Sequence, residues 1–137
     1  MNIDHRIKNS IEEYNSLQDG EYHQICSQLC NLINVNLLNS TSKVWHGAPV
    51  WFLDGNPVVG YSKQKAGVRL MFWSGADFGE EKLRSGTGKF KDASIFYNST
   101  SEVDSSDLKV WLKKAKEIQW DYKNIVKHKG QLFKIKV

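Results

Sequence analysis

The chain has 137 residues, of which 40% are hydrophobic and 25% are charged, and these proportions are typical of a single globular domain. They exclude a disordered or collagen-like chain, and no uncharged apolar stretch approaches the roughly 20 residues of a membrane-spanning helix. The net charge of +4 arises in residues 104–137, where nine lysines stand against four acidic residues, so the rest of the chain is close to neutral.

Apolar residues at helical spacing predict two helices at the start of the chain. The first has its apolar stripe on Ile3, Ile7, Ile11, Tyr14 and Leu17 and stops at Asp19-Gly20. The second runs from Glu21 to about Leu38, with its stripe on Tyr22, Ile25, Cys26, Leu29, Cys30, Ile33 and Leu37. The polar run 39–42 ends this second helix.

The period then changes to two, which predicts a series of short strands. The strands are expected at Lys43–His46, Val50–Asp54, Pro57–Ser62, Val68–Trp73 and, after a long loop with a helical turn near 80–84, at Ala93–Tyr97. Breaks are expected at 47–49, 54–56 and 65–67, and the Asp54-Gly55 pair is a strong hairpin signal. Connections this short require neighbouring strands to be antiparallel.

A last helix is predicted from a cap at Asp104 or Ser105. Its apolar stripe continues from Leu108 to Ile125, and Gly130 stops it. The tail after Gly130 alternates lysine with apolar residues and would dock as an edge strand or stay loose. The fold class is therefore α+β, one domain over 1–137 with an antiparallel sheet of about five strands and helices mainly on one face.

Alternation along the strands divides the sheet into two faces. One set is purely apolar and is expected to meet the helices: Val50, Phe52, Val58, Leu70, Phe72 and Ile95. The other set should face outward: Trp51, Leu53, Val59, Tyr61, Arg69, Met71 and Trp73. Because an open antiparallel sheet normally turns a polar face to water, this second face is either covered by another part of the chain or receives a ligand.

The candidate ligand site combines this second face with the adjacent turn. Trp51, Tyr61 and Trp73 would supply apolar area, and Arg69 among them would stack and bind an anion. Trp45 and His46 belong to a strand end beside a proline, a position where sites are often built. An enzyme that uses His46 is the least favoured reading, since no nucleophile or carboxylate accompanies it in the motif.

His23, Cys26 and Cys30 fall on one helix face and are the candidates for a soft metal such as zinc. Both cysteines also continue the apolar stripe, and no fourth ligand is nearby, so we expect no metal site. Two cysteines are too few for a disulfide scaffold, and the first residues lack a secretory pattern. The sequence therefore predicts a reduced, cytoplasmic protein.

The central stretch resembles the YdhG-like family of domains of unknown function. The resemblance rests on a Trp-x-Gly-x-Pro element at Trp45–Pro49, the hairpins that follow it, and a Gly-x-Gly-Lys loop at Gly86–Lys89. It covers roughly 22–118, which makes 1–21 and 119–137 terminal extensions of the family core. The family fold is similar to the frataxin helix–sheet sandwich, and some members are labelled intracellular iron chaperones.

A frataxin-like iron mechanism needs a crowded acidic ridge, because hard cations require several converging oxygen ligands. Residues 22–53 contain no acidic residue here, which argues against iron. The sequence therefore predicts a non-enzymatic binding module for a small anion or a protein partner, without a cofactor, and leaves iron handling as the alternative. It disfavours nucleic acid and membrane as partners and leaves a homodimer open.

Overall fold

A computed structural model describes residues 10–136 of the chain, and for the last of these only the backbone. The three helices are α1 (Ile11–Ser16), α2 (Gly20–Asn36) and α3 (Ser105–Glu117). The strands are β1 (Thr41–Trp45), β2 (Ala48–Leu53), β3 (Asn56–Gln64), β4 (Gly67–Phe72), β5 (Arg84–Ser85), β6 (Ala93–Tyr97), β7 (Gln119–Trp120) and β8 (Lys134–Lys136). The positions Ile3 and Ile7 of the predicted first helix lie outside the described residues.

The fold is α+β, with a six-stranded sheet in the order β1-β2-β3-β4-β6-β5. Every neighbouring pair in this sheet is antiparallel, as the short connections predict. The sheet has six strands instead of about five, because the loop before β6 contributes the two-residue strand β5. The helical turn expected near 80–84 lies earlier, as a 3-10 turn at Gly75–Asp77.

Two-residue turns connect the first strands. Asp54 and Gly55 both have positive φ, 52° and 81°, which is the geometry that the Asp-Gly signal predicts. His46 and Gly47 repeat this geometry, with φ of 52° and 83°. The break expected at 47–49 therefore lies at 46–47, and Ala48 and Pro49 belong to β2.

The predicted faces of the sheet are correct for β4 and need a correction at β2 and β3. The residues expected to face outward but found on the face that the helices cover are Trp51, Leu53, Val59 and Tyr61. Val50 and Phe52, expected to meet the helices, lie on the opposite face, where Val50 lines a groove and Phe52 contacts Trp45. Tyr61 pairs with Leu70, so these two side chains share a face, and Arg69 pairs with Ser62 on the opposite one. A three-residue break at 65–67 would place odd-numbered residues of β3 and β4 together. The actual turn has two residues, Lys65 and Ala66, and it pairs odd-numbered residues with even-numbered ones.

The face that meets the helices, the helix face, is closed and apolar. Trp51, Val59, Phe72 and Ala93 form one cross-strand row on it, and Tyr61, Leu70 and Ile95 form the next. The ring of Phe72 meets that of Trp111 on α3 edge to face at 6.1 Å. The buried stripe of α2 covers the same face with Ile25, Cys26, Leu29 and Ile33, as its spacing predicts.

Helix α3 ends at Glu117, not near Ile125. The backbone N–H of Trp120 donates to Ser74 Oγ at 2.9 Å, and that of Asp121 donates to the carbonyl of Phe133 at 2.7 Å. These bonds replace the helical ones, so the chain turns away after Ile118. Strand β8 then pairs with β7 in a separate two-stranded sheet and does not join the edge of the main sheet.

The stretch 119–136, which we call the C-terminal segment, is fixed to the β2–β3 turn by one buried side chain. The side-chain Nδ2 of Asn56 donates to Gln119 Oε1 and to the Trp120 carbonyl, and its side-chain Oδ1 accepts from the backbone N–H of Lys123. These bonds fix the C-terminal segment beside the β2–β3 turn after it leaves helix α3. Within 10–136, no helix is long and apolar enough to cross a bilayer.

Candidate functional site

The face of the sheet opposite the helices, the outer face, carries a groove that we call the indole groove. It lies between the β1–β2 turn and the end of β4 and has a volume of about 260 Å³. Trp45 and Trp73 contribute the two indoles that give it its name. The other principal side chains along it are His46, Val50, Ser62, Arg69 and Met71.

The floor of the groove exists because Gly60 has no side chain. A Cβ at this position would lie 2.5 Å from the carbonyl oxygen of Pro49 and 3.4 Å from Cζ3 of Trp73. Gly60 pairs with Val50 on one side and Met71 on the other, so the gap lies in the middle of the outer face. The indole of Trp73 can therefore lie close over strand β3.

The aromatic wall of the groove is built around Trp45, at the end of edge strand β1. Its ring centroid is 4.4 Å from that of His46, 5.4 Å from that of Phe52 and 6.4 Å from that of Trp73. Trp45 and Trp73 are partly exposed, whereas His46 is exposed at the mouth of the groove. The groove thus presents aromatic surface to solvent where an open sheet is usually polar.

Arg69 supplies the cationic group of the groove. Its Nε donates to Ser94 Oγ at 3.1 Å, and its Nη2 lies 3.4 Å from Asp92 Oδ2. A charge-assisted bond between such groups is ordinarily about 2.7–2.9 Å long, so this ion pair is loose. The Arg69 side chain is 28% exposed, and it lines the same groove as the two indoles while its bonds reach toward β6.

Five of the six predicted ligand-binding residues border the indole groove: Trp45, His46, Tyr61, Arg69 and Trp73. Trp51 is fully buried on the helix face, where its Nε1 donates to Asn34 Oδ1 at 2.8 Å. Tyr61 borders the groove from strand β3, but its side chain is buried on the helix face, where its ring contacts that of Trp51. Its hydroxyl donates to Asn15 Oδ1 at 2.7 Å, and burial raises its pKa.

Sequence reasoning missed Gly60 and Ser62 and assigned Val50 to the wrong face, whereas Met71 lies on the outward face as expected. A signal was present for Gly60, because a glycine inside an otherwise apolar strand often marks a close approach of another group. Ser62 carries no such signal. It reaches the groove only through the register that pairs it with Arg69.

The candidate metal ligands are engaged in other interactions. Nδ1 of His23 donates to the carbonyl of Asn15 at 2.7 Å, so this nitrogen holds a proton. Burial raises the pKa of the Cys26 thiol to about 12 and also raises that of Cys30, which keeps both thiols protonated. Among residues 10–136, no three His, Cys, Asp or Glu side chains group as a metal site requires.

The fold has a counterpart among solved structures. The crystal structure of YdhG, a Bacillus subtilis protein of the DUF1801 family, matches with a TM-score of 0.57 and 15% sequence identity. The match covers 87% of this chain and 90% of that protein. No protein-family model and no curated protein matches the chain. The similarity therefore shows an α+β fold shared with YdhG.

Proposed function

We propose that the chain is a binding module whose ligand is a small molecule with one planar apolar part and one anionic group. The indole groove is the proposed site, and we assign no chemical reaction to it. The observation that carries the proposal is the placement of two partly exposed indoles beside Arg69 on a sheet face that the helices leave open. Both cysteines are free, which fits the proposed cytoplasmic location.

The aromatic side of the groove accounts for the planar part of the ligand. Indoles bind flat rings by offset stacking or edge contacts, which add about 0.5–1.5 kcal/mol to the burial of area. Ligand pockets commonly measure roughly 300–1,000 Å³. At about 260 Å³ the groove fits one compact ring system better than an extended chain.

The anionic part of the ligand would bind Arg69. Its planar guanidinium offers five N–H donors, and carboxylate, sulfonate or phosphate groups accept two of them in parallel. Its ion pair with Asp92 is long at 3.4 Å, so an anion does not need to displace a tight partner. His46 at the mouth and Ser62 beside Arg69 would add polar contacts.

A protein partner or a second copy of the chain is the competing occupant of this surface. Protein interfaces of specific complexes bury about 800 Å² on each partner and are generally flat. The indole groove is a small concave site, which favours a small molecule. The frataxin-like iron mechanism has no supporting observation among residues 10–136, because no metal-binding group of side chains is found there.

The test uses 1-naphthalenesulfonate, a planar ring with one anionic group, and calorimetric titration. We expect binding in the micromolar to low millimolar range, at least about tenfold weaker binding by the Trp73→Ala variant, and a similar loss for Arg69→Gln. Neutral 1-naphthol should bind wild type and Arg69→Gln equally well. This comparison separates the anion contact from the stacking.

Phe133→Ala is the matched control, because it removes an aromatic ring of the C-terminal segment that is 47% exposed and lies outside the groove. It should bind the probe as wild type does. The proposal is wrong if 1-naphthalenesulfonate does not bind at 5 mM (about the weakest affinity worth assigning), or if it binds all variants equally. A change of oligomeric state on Trp73→Ala would instead indicate a protein interface.

A further inference from the structure

A second hollow adjoins the indole groove on the outer face. We call it the C-terminal hollow because the C-terminal segment forms one of its walls. It has a volume of about 390 Å³ and shares Met71 and Trp73 with the indole groove. The remaining side chains around it are Phe90, Asp92, Tyr122 and Ile125. The two hollows therefore meet at a common partition.

The walls of the C-terminal hollow are held by specific bonds. The hydroxyl of Tyr122 accepts from the backbone N–H of Lys91 at 2.9 Å, which joins the C-terminal segment to the loop before β6. The rings of Phe90 and Tyr122 are 6.3 Å apart. The next residue, Lys123, is anchored through its N–H to Asn56 at 2.9 Å. The hollow is thus a built feature and not a gap beside a loose tail.

The lining of the C-terminal hollow is mainly apolar, like that of the indole groove, but it includes no cationic residue. Five of its six lining residues are aromatic or aliphatic, and the sixth, Asp92, is the ion-pair partner of Arg69. This ion pair therefore spans the boundary, with Arg69 in the groove and Asp92 in the hollow. At the outer rim, Lys89 Nζ lies 5.6 Å from the ring centroid of Phe90, which gives this end a positive charge as well.

We propose that the C-terminal hollow is a second subsite that binds a second planar ring of the same ligand. This inference rests on the proposed function of the indole groove and extends it. The ligand class is a small molecule with two linked planar rings and an anionic group near the link. One ring lies on the Trp45 side of Trp73, the other lies between Trp73 and Phe90, and the anion binds Arg69.

The shared partition is the reason to assign one ligand and not two. Rings on either side of Trp73 are within reach of a short linker, and a short linker raises the effective concentration of the second ring to the millimolar range or above. A second ring therefore adds affinity without any new charge. Phe90 is 45% exposed and has room to receive such a ring.

Two probes that differ by one ring test the inference. 1-Naphthalenesulfonate has one ring system, and 8-anilinonaphthalene-1-sulfonate carries the same group with a second ring attached. We expect wild type to bind the two-ring probe about tenfold more tightly or better. The Phe90→Ala variant should lose most of this gain and should bind the one-ring probe as wild type does. Phe133→Ala should behave as wild type with both probes.

The outcomes separate the two proposals. Equal affinity for both probes, with binding of the one-ring probe still dependent on Trp73, overturns the second subsite and leaves the indole groove standing. A two-ring gain that Phe90→Ala does not reduce also overturns it. Failure of wild type to bind the one-ring probe overturns the groove proposal and this inference with it. A circular dichroism melt of each variant verifies that it is folded.

Discussion

The two faces of the main sheet carry similar side chains and put them to different uses. On the helix face, Trp51 is fully buried and its indole N–H donates to Asn34. On the outer face, Trp45 and Trp73 are partly exposed and border a groove. An aromatic residue in a strand can therefore belong either to the core or to a binding site. The cross-strand pairing distinguishes the two cases, because it determines the face on which each ring lies.

Replacing one tryptophan on each face should show the largest difference between the two faces. Trp51→Ala leaves a cavity in the core and removes the bond to the exposed Asn34, so we expect a loss of about 3–5 kcal/mol in the free energy of unfolding, mainly from the cavity. Trp73→Ala should cost about 1–2 kcal/mol because its ring is only partly buried. Urea denaturation followed by circular dichroism measures both. Equal losses would contradict the difference between the faces.

Filling the floor of the groove should have an intermediate effect. Gly60→Ala places a Cβ 2.5 Å from the Pro49 carbonyl oxygen, so strands must shift, at a cost of about 1–3 kcal/mol. The same variant should weaken binding of 1-naphthalenesulfonate, because the Trp73 ring must move. Ser62→Ala on the same strand is the control for stability only, because Ser62 lines the groove, and it should change the free energy of unfolding by less than about 0.5 kcal/mol. A stable Gly60→Ala protein with normal binding would show that the gap is not required.

The free energy of unfolding should decrease gradually at alkaline pH, because the helix face buries ionisable groups in their neutral form. Burial raises the pKa of Cys26 from 9.0 to about 12 and raises the pKa values of Tyr61 and Tyr97. Above pH 9 the unfolded chain releases protons that the folded chain keeps. The stability from these groups is therefore complete below pH 9 and declines as pH rises toward 12.

The Cys26→Ala variant isolates the earliest part of this decline. Its unfolding free energy should fall less steeply between pH 9 and pH 10 than that of wild type, whatever its stability at pH 7. Urea denaturation at pH 8, 9 and 10 gives both slopes. Parallel slopes would show that the Cys26 thiol is not protected from ionisation by burial.

Local patterns predict most of the fold, because the periodicities of helices and strands depend on residues that are close together in the sequence. The stripe of α2, the Asp54-Gly55 hairpin and the bounds of β6 at Ala93 and Tyr97 all agree with the structure. The end of α3 could not be predicted from its apolar stripe. It depends on the bond from the N–H of Trp120 to Ser74, a residue 46 positions earlier.

The site was only partly predictable for the same reason. Trp45 and His46 follow from a local turn, but the grouping of Trp73 and Arg69 with them depends on the register of β3 and β4. A difference of one residue in the turn length moved Tyr61 to the other face. The C-terminal hollow was not predictable because Phe90 and Tyr122, which line it, are about thirty residues apart in the chain. They are brought together where the backbone N–H of Lys91 donates to the Tyr122 hydroxyl.

The Lys65–Ala66 turn has a consequence for how this fold tolerates changes in chain length. If one residue were inserted there and the strands stayed paired, the side chains of β4 would exchange faces. Arg69 and Met71 would then point toward the helices, and Leu70 and Phe72 would point to solvent. Two inserted residues would lengthen the hairpin and keep the alternation intact. Length variation at this turn among relatives that keep the fold should therefore come in even steps, and an odd step should be accompanied by a compensating bulge.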